Sequence, residues 1–598
     1  MEAVGIIRRI MDFLIRKFLL SGIAIAWITA ASFAQKVSPD IRLNQIGFYP
    51  QSEKIAVILT EKQNDFLIKD SRSGKTVFKG KLSDLKTNQH SGKLSRIADF
   101  SAFKTSGKYI IEIPSFGKST PFEIKPNIHK PVAIAALKGF YYQRASTDLP
   151  EKFAGKWARA AGHPDDHVLV HASAVSPERS ENSVIKSPGG WYDAGDYNKY
   201  IVNSGITMGT LLSLYEDFPA YFQNFKTNIP ESDNAVPDLL DEVIWNLRWM
   251  LTMQDPVDSG VYHKLTNPKF DGMIMPDACK NPRYVVQKNT VATLDFVAVM
   301  AQSARILKSF NTQLPGLADS CLTAAEKGWA WAEKNPAIFY DQNALNQKFD
   351  PDIVTGAYGD RSITDEKIWA AAEMYALTGK TSYLAGIDLE TDKPMPLPTW
   401  SQVKALGYYT ILRNAEAKKT ESRMVEQIKK SVLDFSEGLL LDLDKQPYHT
   451  VMGRTAKDYS WGSSSVAANQ GIALLYAYKL TKQSKFLNAA VGNLDYILGR
   501  NATGYSFLTG FGIKPVMHPH HRLSIADGIT EPVPGLLSGG PNPAQQDKCT
   551  TYTSKFADES FTDDDCSYAS NEIAINWNAP MVYLAAALDA LMETDKRK

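Results

Sequence analysis

The spacing of apolar and polar residues changes near residue 130. Before this point, short β-branched or aromatic runs such as 55–59 and 109–113 alternate with turn-forming stretches such as 70–74. Several short strands separated by turns at this spacing are typical of a β-sandwich. We therefore expect residues 38–127 to fold as an immunoglobulin-like β-sandwich, in which no chemistry-bearing motif is visible.

After residue 130 the apolar positions follow the period of a helix. Between 236 and 250 they fall on a single helix face, and a second helical pattern ends at Gly379, a residue type favoured just past a helix C-terminus. Further helical patterns lie near 205–216, 291–308, 321–334, 401–413, 422–439, 465–480, 486–498 and 573–593. Many long helices and few strands predict an all-α domain over 128–596. Its long connecting loops are of the kind that carries function.

The N-terminus has the composition of a targeting segment. Lysine and arginine occur four times in 8–17, an apolar run covers 18–31, and small residues follow at Ser32 and Ala34. This order predicts a secretory signal peptide over 1–34 and a secreted or periplasmic protein. The apolar run is too short to span a bilayer, and no later stretch stands out as a membrane span, so we expect no membrane partner after cleavage.

Charge and cysteine content narrow the class of partner. A net charge of +1 over 598 residues gives no bulk attraction to nucleic acid and suits a neutral ligand. Cys549 and Cys566 flank a polar loop; a disulfide and two free thiols are equally compatible with their spacing. The oligomeric state is not readable from these features.

The densest candidate for chemistry is the loop 189–200, rich in glycine and aromatic residues. It carries Asp193 and Asp196, whose spacing places both carboxyl groups on the same side of a turn or a first helical turn. Two like charges held close raise one pKa, and such a pair can hold and deprotonate a water. A helix cap followed by a turn explains the two residues alone, but the surrounding glycines and aromatics favour a functional site.

Two further segments carry polar residues in unusual density. Glu572, within 561–580, opens an apolar helix in this pattern, where an acid also serves the helix dipole. The Pro- and Gly-rich segment 506–522 holds three histidines and Arg522. Its histidines lack the spacing of a helical metal site, so hydrogen bonding to sugar hydroxyls is the favoured interpretation.

These segments resemble glycoside hydrolase family 9. The loop 189–200 looks like the D-A-G-D loop of that family. Residues 506–522 fit its first signature, which places His520, and residues 561–579 fit its second, which places Asp563 and Glu572. The β module resembles the N-terminal immunoglobulin-like domain of one subgroup. The resemblance implies an (α/α)6 barrel of six inner and six outer helices.

The resemblance also implies an activity, the endo-hydrolysis of β-1,4-glucan with inversion, as in cellulases. Asp196 matches the base, Asp193 its partner in holding the water, and Glu572 the acid, with a raised pKa. Inversion requires the base and acid carboxyls to lie roughly 6.5–9.5 Å apart. His520 and Asp563 complete the implied catalytic set. The residues expected to bind sugar are Arg522, Trp461, Trp369 and Tyr568.

Two alternatives stay open at this point. The same chemistry suits mixed-linkage glucan, xyloglucan, glucomannan or exo-cleavage of cello-oligosaccharides, because loop shape sets which subsites are blocked. A non-catalytic carbohydrate-binding protein with the same barrel is the second alternative. The three intact carboxyls Asp193, Asp196 and Glu572 argue against it.

The expected chemistry requires no cofactor. Calcium is common in the family, and Asp238, Asp241 and Glu242 offer oxygen ligands, although a capped and charged helix start explains them equally well. Some relatives carry a Cys/His zinc site before the D-A-G-D loop. Here 162–171 holds His163 and two further histidines but no cysteine, so zinc is not expected.

Overall fold

The computed structural model describes residues 36–594; the predicted signal peptide 1–34 lies outside them. The N-terminal part forms two packed sheets, in the orders β1-β3-β7-β6 and β2-β10-β8-β4-β5, with β9 on β8. The strands are β1 (Ile41–Arg42), β2 (Gly47–Phe48), β3 (Ile55–Ile58), β4 (Asp65–Asp70), β5 (Thr76–Lys81), β6 (Lys86–Thr87), β7 (Leu94–Asp99), β8 (Gly107–Ile113), β9 (Gly117–Lys118) and β10 (Phe122–Ile124). Alternating apolar residues of both sheets form the core between them, such as Phe66 and Ile111 of one sheet and Ile58 of the other. The β-sandwich predicted from the sequence is therefore formed.

The sandwich packs directly on the helical domain. Ile55 and Val57 of β3 share a small apolar cluster with Tyr448. The Asn44 side chain donates a hydrogen bond of 2.7 Å to Asp495, which is itself paired with the buried Arg500. This buried polar contact fixes the orientation of the module on the helices.

The second part is mostly helical. Its helices are α1 (Lys130–Tyr142), α2 (Glu151–Ala154), α3 (Ile201–Asp217), α4 (Pro219–Phe222), α5 (Asp238–Thr252), α6 (Thr290–Leu307), α7 (Leu317–Lys334), α8 (Gln342–Asn346), α9 (Thr364–Thr378), α10 (Lys404–Lys418), α11 (Ser422–Leu440), α12 (Ser463–Thr481), α13 (Ser484–Ile497), α14 (Arg522–Ala526), α15 (Tyr568–Asn571) and α16 (Ile575–Thr594). Every long helix predicted by periodicity is present, and α1 is an addition.

Within the described residues, six long helices pack in a closed ring. In order they are α3, α6, α9, α10, α12 and α16, and each contacts the next. The contact between α10 and α12 is a stacked pair, Tyr409 on Tyr476, with ring centroids 3.7 Å apart. Five further long helices, α1, α5, α7, α11 and α13, lie against this ring.

A charged network ties the ring together at the C-terminal end of α3. Asp217 pairs with Arg413 of α10 and Lys479 of α12, and it accepts a hydrogen bond from Tyr583 of α16. The neighbouring Glu216 pairs with Arg305 of α6. The loop 189–200 leads into the other end of α3, which this charged network does not occupy.

The helical part is not purely α-helical, which corrects one expectation. Five short strands, β11 (Val168–Val170), β12 (Val184–Ile185), β13 (Lys199–Tyr200), β14 (Lys264–Thr266) and β15 (Tyr284–Val285), form one sheet. Three consecutive branched apolar residues in β11 favour a strand over a helix. This sheet joins the loop that carries the two aspartates to the segment before α6.

One described helical segment, Thr290–Phe310, is long and apolar enough to cross a membrane, contrary to the expectation from sequence. It is 94% buried inside the domain over its most apolar window. A helix buried to this extent is typical of the core of a helical domain. The segment is apolar because it packs inside the ring.

Candidate active site

The loop 189–200 is fixed at the mouth of the ring by its backbone. The N–H of Asp193 donates to the carbonyl of Asn198, and the Asp193 carbonyl accepts from the N–H of Ile575 at the start of α16. Gly190 has φ of +78°, and a Cβ there would lie 2.7 Å from the Trp249 ring. The glycines thus let the loop turn sharply against packed aromatic side chains.

Each of the two aspartates is held by its own donors. Asp196 Oδ2 accepts hydrogen bonds from the Asn198 amide (2.6 Å) and the Tyr200 hydroxyl (3.1 Å). The carboxyl of Asp193 accepts from Asn203 at 2.9 and 3.1 Å and from Tyr358 at 3.0 Å. Both carboxyls are almost fully buried, and Asp196 lines the cleft.

Glu572 reaches the same place from the other end of the domain. It does not open a helix, as the sequence suggested, but lies in extended backbone between α15 and α16. There it pairs with the strand-like His520, whose N–H donates to the Asn571 carbonyl. The N–H of Gly195 donates to Oε1 of Glu572 at 3.3 Å, which links the acid to the aspartate loop.

The electrostatics favour a proton on Glu572. Burial and the neighbouring carboxylates of Asp196 and Asp193 raise its pKa well above the usual range. Burial and Asp196 also raise the pKa of Asp193 to about 8, although the hydrogen bonds from Asn203 and Tyr358 oppose this. At neutral pH Asp193 and Glu572 therefore keep their protons, and Glu572 is available as a proton donor.

The carboxyl groups of Asp196 and Glu572 line one cleft of about 450 Å³. Large apolar side chains form most of its remaining wall, namely Phe270, Trp400, Trp461 and Trp577, together with Tyr200 and Tyr358. Phe270 and Trp461 are 47% and 44% exposed. Flat apolar faces beside two carboxyls suit a chain of sugar rings, whose faces are apolar and whose linking oxygens need protonation.

His520 and Asp563 support this arrangement from the side. His520 Nδ1 donates to the Asp565 carbonyl at 2.6 Å, which fixes the imidazole ring. Asp563 accepts the N–H groups of Met517 and His518, so it shapes the backbone before His520 and does not face the cleft. Its expected membership of the catalytic set is corrected to a positioning role.

The Cys549–Cys566 pair forms a disulfide, with Cα atoms 5.7 Å apart. Cys566 follows Asp565, whose carbonyl holds His520. The bridge therefore stabilises the loop that orients this ring, and the alternative of two free thiols is excluded.

One expected sugar-binding residue is wrong. Trp369 is fully buried inside the ring, with its ring against Gly209 of α3, so it offers no face to a ligand. Arg522 donates from Nη1 to the Gly195 carbonyl (2.8 Å) and from Nε to the Asp271 carbonyl (2.9 Å), and its guanidinium lies 5.7 Å from the ring centre of Phe270 on the cleft wall. These bonds position the loop 189–200, and sugar binding by Arg522 stays a prediction. Trp461 lines the cleft, and Tyr568 packs beside it with ring centroids 5.5 Å apart.

The residues named for a calcium site are partly occupied by protein donors. Asp238 accepts hydrogen bonds from Thr227 and Ser232, and Glu242 is held by Arg144 at 2.9 Å. Asp241 accepts the Asn234 amide with Oδ1 at 3.0 Å, and its buried Oδ2 has no hydrogen-bond partner. Calcium at this helix start stays a prediction, beside the alternative of a charged first helical turn.

The residues that hold the carboxyls in place were not predicted from the sequence. Asn198 and Tyr200 lie in the loop 189–200 itself and Asn203 follows it closely, and this position was a usable signal. Tyr358 lies 165 positions from Asp193, and no spacing along the chain links the two residues. Phe270, Trp400 and Trp577 carried no signal that separated them from core aromatics.

The paired carboxyls, the apolar cleft and the ring of helices define a glycoside hydrolase that works by acid and base catalysis. The model of glycosyl hydrolase family 9 matches residues 130–585, and the model of the cellulase N-terminal ig-like domain matches residues 36–118. The chain therefore belongs to glycosyl hydrolase family 9. The family resemblance noted in the sequence is confirmed.

Individual relatives agree with this assignment. The chain is 48% identical over 575 residues to the xyloglucan-specific endo-beta-1,4-glucanase BoGH9A of Bacteroides ovatus, which covers 96% of this chain and 97% of that protein. It is 33% identical over 575 residues to endoglucanase D of Acetivibrio thermocellus, with 95% and 86% covered. A solved structure of Bacteroides ovatus GH9 matches with a TM-score of 0.88 at 48% identity, over 93% of this chain and 99% of that one. The chain is an endo-β-1,4-glucanase of an inverting family.

Proposed function

We propose that Asp196 is the general base and Glu572 the general acid, and that the substrate is a xylose-branched β-1,4-glucan. The observation that supports the roles most directly is the shared cleft. Asp196 and Glu572 come from opposite ends of the domain, yet both line one cavity with apolar walls. Two carboxyls on either side of a bound sugar are what inversion requires.

The proposed hydrolysis needs only water and the two carboxyl groups, without any cofactor. Asp196 takes a proton from a water as the water oxygen forms a bond to the anomeric carbon. The bond from that carbon to the glycosidic oxygen breaks, and its electron pair stays on the oxygen, which receives the proton of Glu572. Asp193, held by Asn203 and Tyr358, positions the water. Solvent then restores the proton to Glu572 and removes the one on Asp196.

The substrate proposal rests on the cleft walls and on one relative. Phe270 and Trp461 present exposed faces along the cleft, so a glucan chain can stack there while its branches point outward. The Bacteroides ovatus relative, with 48% identity over nearly the whole chain, is named for xyloglucan. Tyr568 lies beside Trp461, and His520 lies beside Tyr568, so the two extend this surface for sugar hydroxyls.

One experiment tests the substrate. The enzyme is incubated with carboxymethylcellulose, barley β-glucan, xyloglucan and cello-oligosaccharides, and the products are resolved by length. Xyloglucan should give the highest kcat/KM, with internal fragments appearing first. A preference for short cello-oligosaccharides with one product size from the start would indicate exo-cleavage and remove the proposal.

We also propose that the ring of six helices is the inner layer of an (α/α)6 barrel. The five outer long helices follow the alternation that this fold requires. The sixth outer helix would lie between α9 and α10. Residues 379–403 occupy that place in the chain, and their one helical element is the 3-10 turn Thr381–Tyr383.

Secretion remains a proposal as well. The basic, apolar and small-residue order of 1–34 supports it, and the Cys549–Cys566 disulfide suits an oxidising compartment. N-terminal sequencing of the extracellular or periplasmic protein should start near Gln35. A mature protein beginning at Met1 would contradict it.

A further inference from the structure

Three side chains of metal-binding type meet beside the aspartate loop. His163, Asp271 and Cys279 each offer one ligand atom, and these atoms all lie within 4.8 Å of one another. His163 and Asp271 are buried, and Cys279 is partly exposed. The cluster lies outside the cleft and takes no part in the chemistry proposed above.

The His163 ring is oriented, and one of its nitrogens lacks a partner. Nδ1 forms a hydrogen bond of 2.9 Å with the Tyr192 hydroxyl. Nε2 is buried and makes no hydrogen bond; it lies 3.8 Å from Oδ2 of Asp271, beyond hydrogen-bonding distance. A buried nitrogen without a partner costs free energy unless something fills the gap. Metal-binding histidines show this arrangement, with one nitrogen on a protein group and the other on the ion.

The other two side chains contact each other and can both turn to an ion. Asp271 accepts the Asn281 amide with Oδ1 at 2.7 Å. The Cys279 thiol contacts the Asp271 carboxylate and, at 3.7 Å, the Met275 carbonyl, and both contacts are given up with the thiol proton when a metal binds. One nitrogen, one sulfur and one oxygen form a borderline-soft set that suits zinc, whereas calcium and magnesium prefer oxygens alone.

We propose that His163, Asp271 and Cys279 bind one zinc-type divalent cation, with a water as the fourth ligand. This set differs from the Cys/His site of some relatives, because only His163 lies in the segment before the D-A-G-D loop. A carboxylate and a thiolate neutralise the two charges of the ion, and binding releases the thiol proton. Zinc was not expected from sequence, since the segment 162–171 has no cysteine.

The site has a structural consequence for the cleft. Asp271 follows Phe270 of the cleft wall, and its carbonyl accepts Nε of Arg522, which in turn holds Gly195. An ion on the Asp271 carboxylate therefore clamps this wall to the segment that carries His163. It stabilises the loop and touches no reacting atom.

Cobalt binding and metal analysis test the proposal on the full chain without measuring activity. The protein is stripped with a chelator and titrated with Co²⁺ and, separately, Zn²⁺. We expect one ion per chain and a thiolate-to-cobalt charge-transfer band. Cys279→Ser should abolish the band, and His163→Gln should weaken zinc binding at least about tenfold. Cys321→Ala, at a buried cysteine on α7, is the matched control and should bind like the wild type.

A second measurement uses the wild-type protein alone, so it tests the proposal even if a variant folds poorly. In the wild-type protein, bound Zn²⁺ should protect Cys279 from alkylation by iodoacetamide, as read by mass spectrometry of its peptide. A wild-type protein without cobalt binding, or equal Cys279 alkylation with and without Zn²⁺, would overturn the proposal. Substrate cleavage does not enter either result, so the outcome is independent of the proposed function.

Discussion

Gly195 donates its backbone N–H to Glu572 at 3.3 Å, and a side chain at Gly195 would collide with the neighbouring strand. A Cβ there would lie 2.2 Å from the His520 carbonyl oxygen. The glycine between the two aspartates is thus the point where the loop of the proposed base touches the proposed acid. This contact helps to set the relative positions of Asp196 and Glu572.

Gly195→Ala should therefore lose activity while the fold is kept. The backbone must move away from His520, and a displacement of about 1 Å costs about 10²-fold in rate. Activity on glucan and far-UV circular dichroism provide the measurement. Gly438→Ala on α11, where a Cβ meets no atom within 4 Å, is the matched control and should keep full activity. Equal activity of both variants would show that the close packing at Gly195 does not set the geometry of the site.

Asp193→Asn should move the alkaline limb of the pH–rate profile to lower pH. Asp193 becomes charged above its pKa of about 8, and this charge is one of the causes that raise the pKa of Glu572. Its removal therefore lowers the pKa of Glu572 on the alkaline side, where Glu572 loses its proton earlier. Measurement of kcat against pH tests this. Tyr358→Phe keeps the charge and removes only a hydrogen bond to Asp193, so its alkaline limb should not move down. An alkaline limb that rises in Asp193→Asn would contradict the coupling.

Trp461→Ala should weaken binding of glucan chains. A stacking contact contributes about 0.5–1.5 kcal/mol beyond area burial, which corresponds to a KM roughly two- to tenfold higher. Trp157, whose Nε1 donates to the Glu531 carbonyl away from the cleft, provides the control Trp157→Ala. If KM on xyloglucan is the same in both variants, Trp461 does not contact the substrate.

Asp217→Asn should destabilise the barrel above about pH 4. Burial alone would raise the pKa of Asp217, but Arg413 and Lys479 hold it far below the usual range. A depressed pKa stabilises the fold above the unfolded pKa of about 4, and the gain is lost as pH falls through the folded value. Removing one member of a buried pair costs about 3–5 kcal/mol.

Melting temperatures between pH 3 and 8 measure this effect. The variant should melt lower at neutral pH and show a flatter acid limb than the wild type. Asp434→Asn, which breaks the exposed pair with Lys430, should change little. Equal shifts in the two variants would mean that the network around Asp217 does not stabilise the ring.

The sequence predicted the parts of this structure that depend on local pattern. Periodicity over 236–250 matches the helix Asp238–Thr252, and Gly379 ends its helix in the left-handed conformation as expected. Trp369 was expected in the site from the family resemblance, and periodicity could not correct this because it does not show which helix face meets the ring interior. Contacts between distant segments, such as that of Tyr358 with Asp193, depend on closure of the ring and are not encoded in spacing.

The division of roles between Glu572 and Asp196 is tested most directly by a leaving group that needs no proton. The measurement compares Glu572→Gln and Asp196→Asn on glucan and on β-cellobiosyl fluoride. Acid assistance is worth about 10²–10⁴-fold, so Glu572→Gln should lose that factor on glucan and far less on the fluoride. Asp196→Asn should lose activity on both, because the water still needs a base. Equal losses of Glu572→Gln on both substrates would contradict its role as the acid.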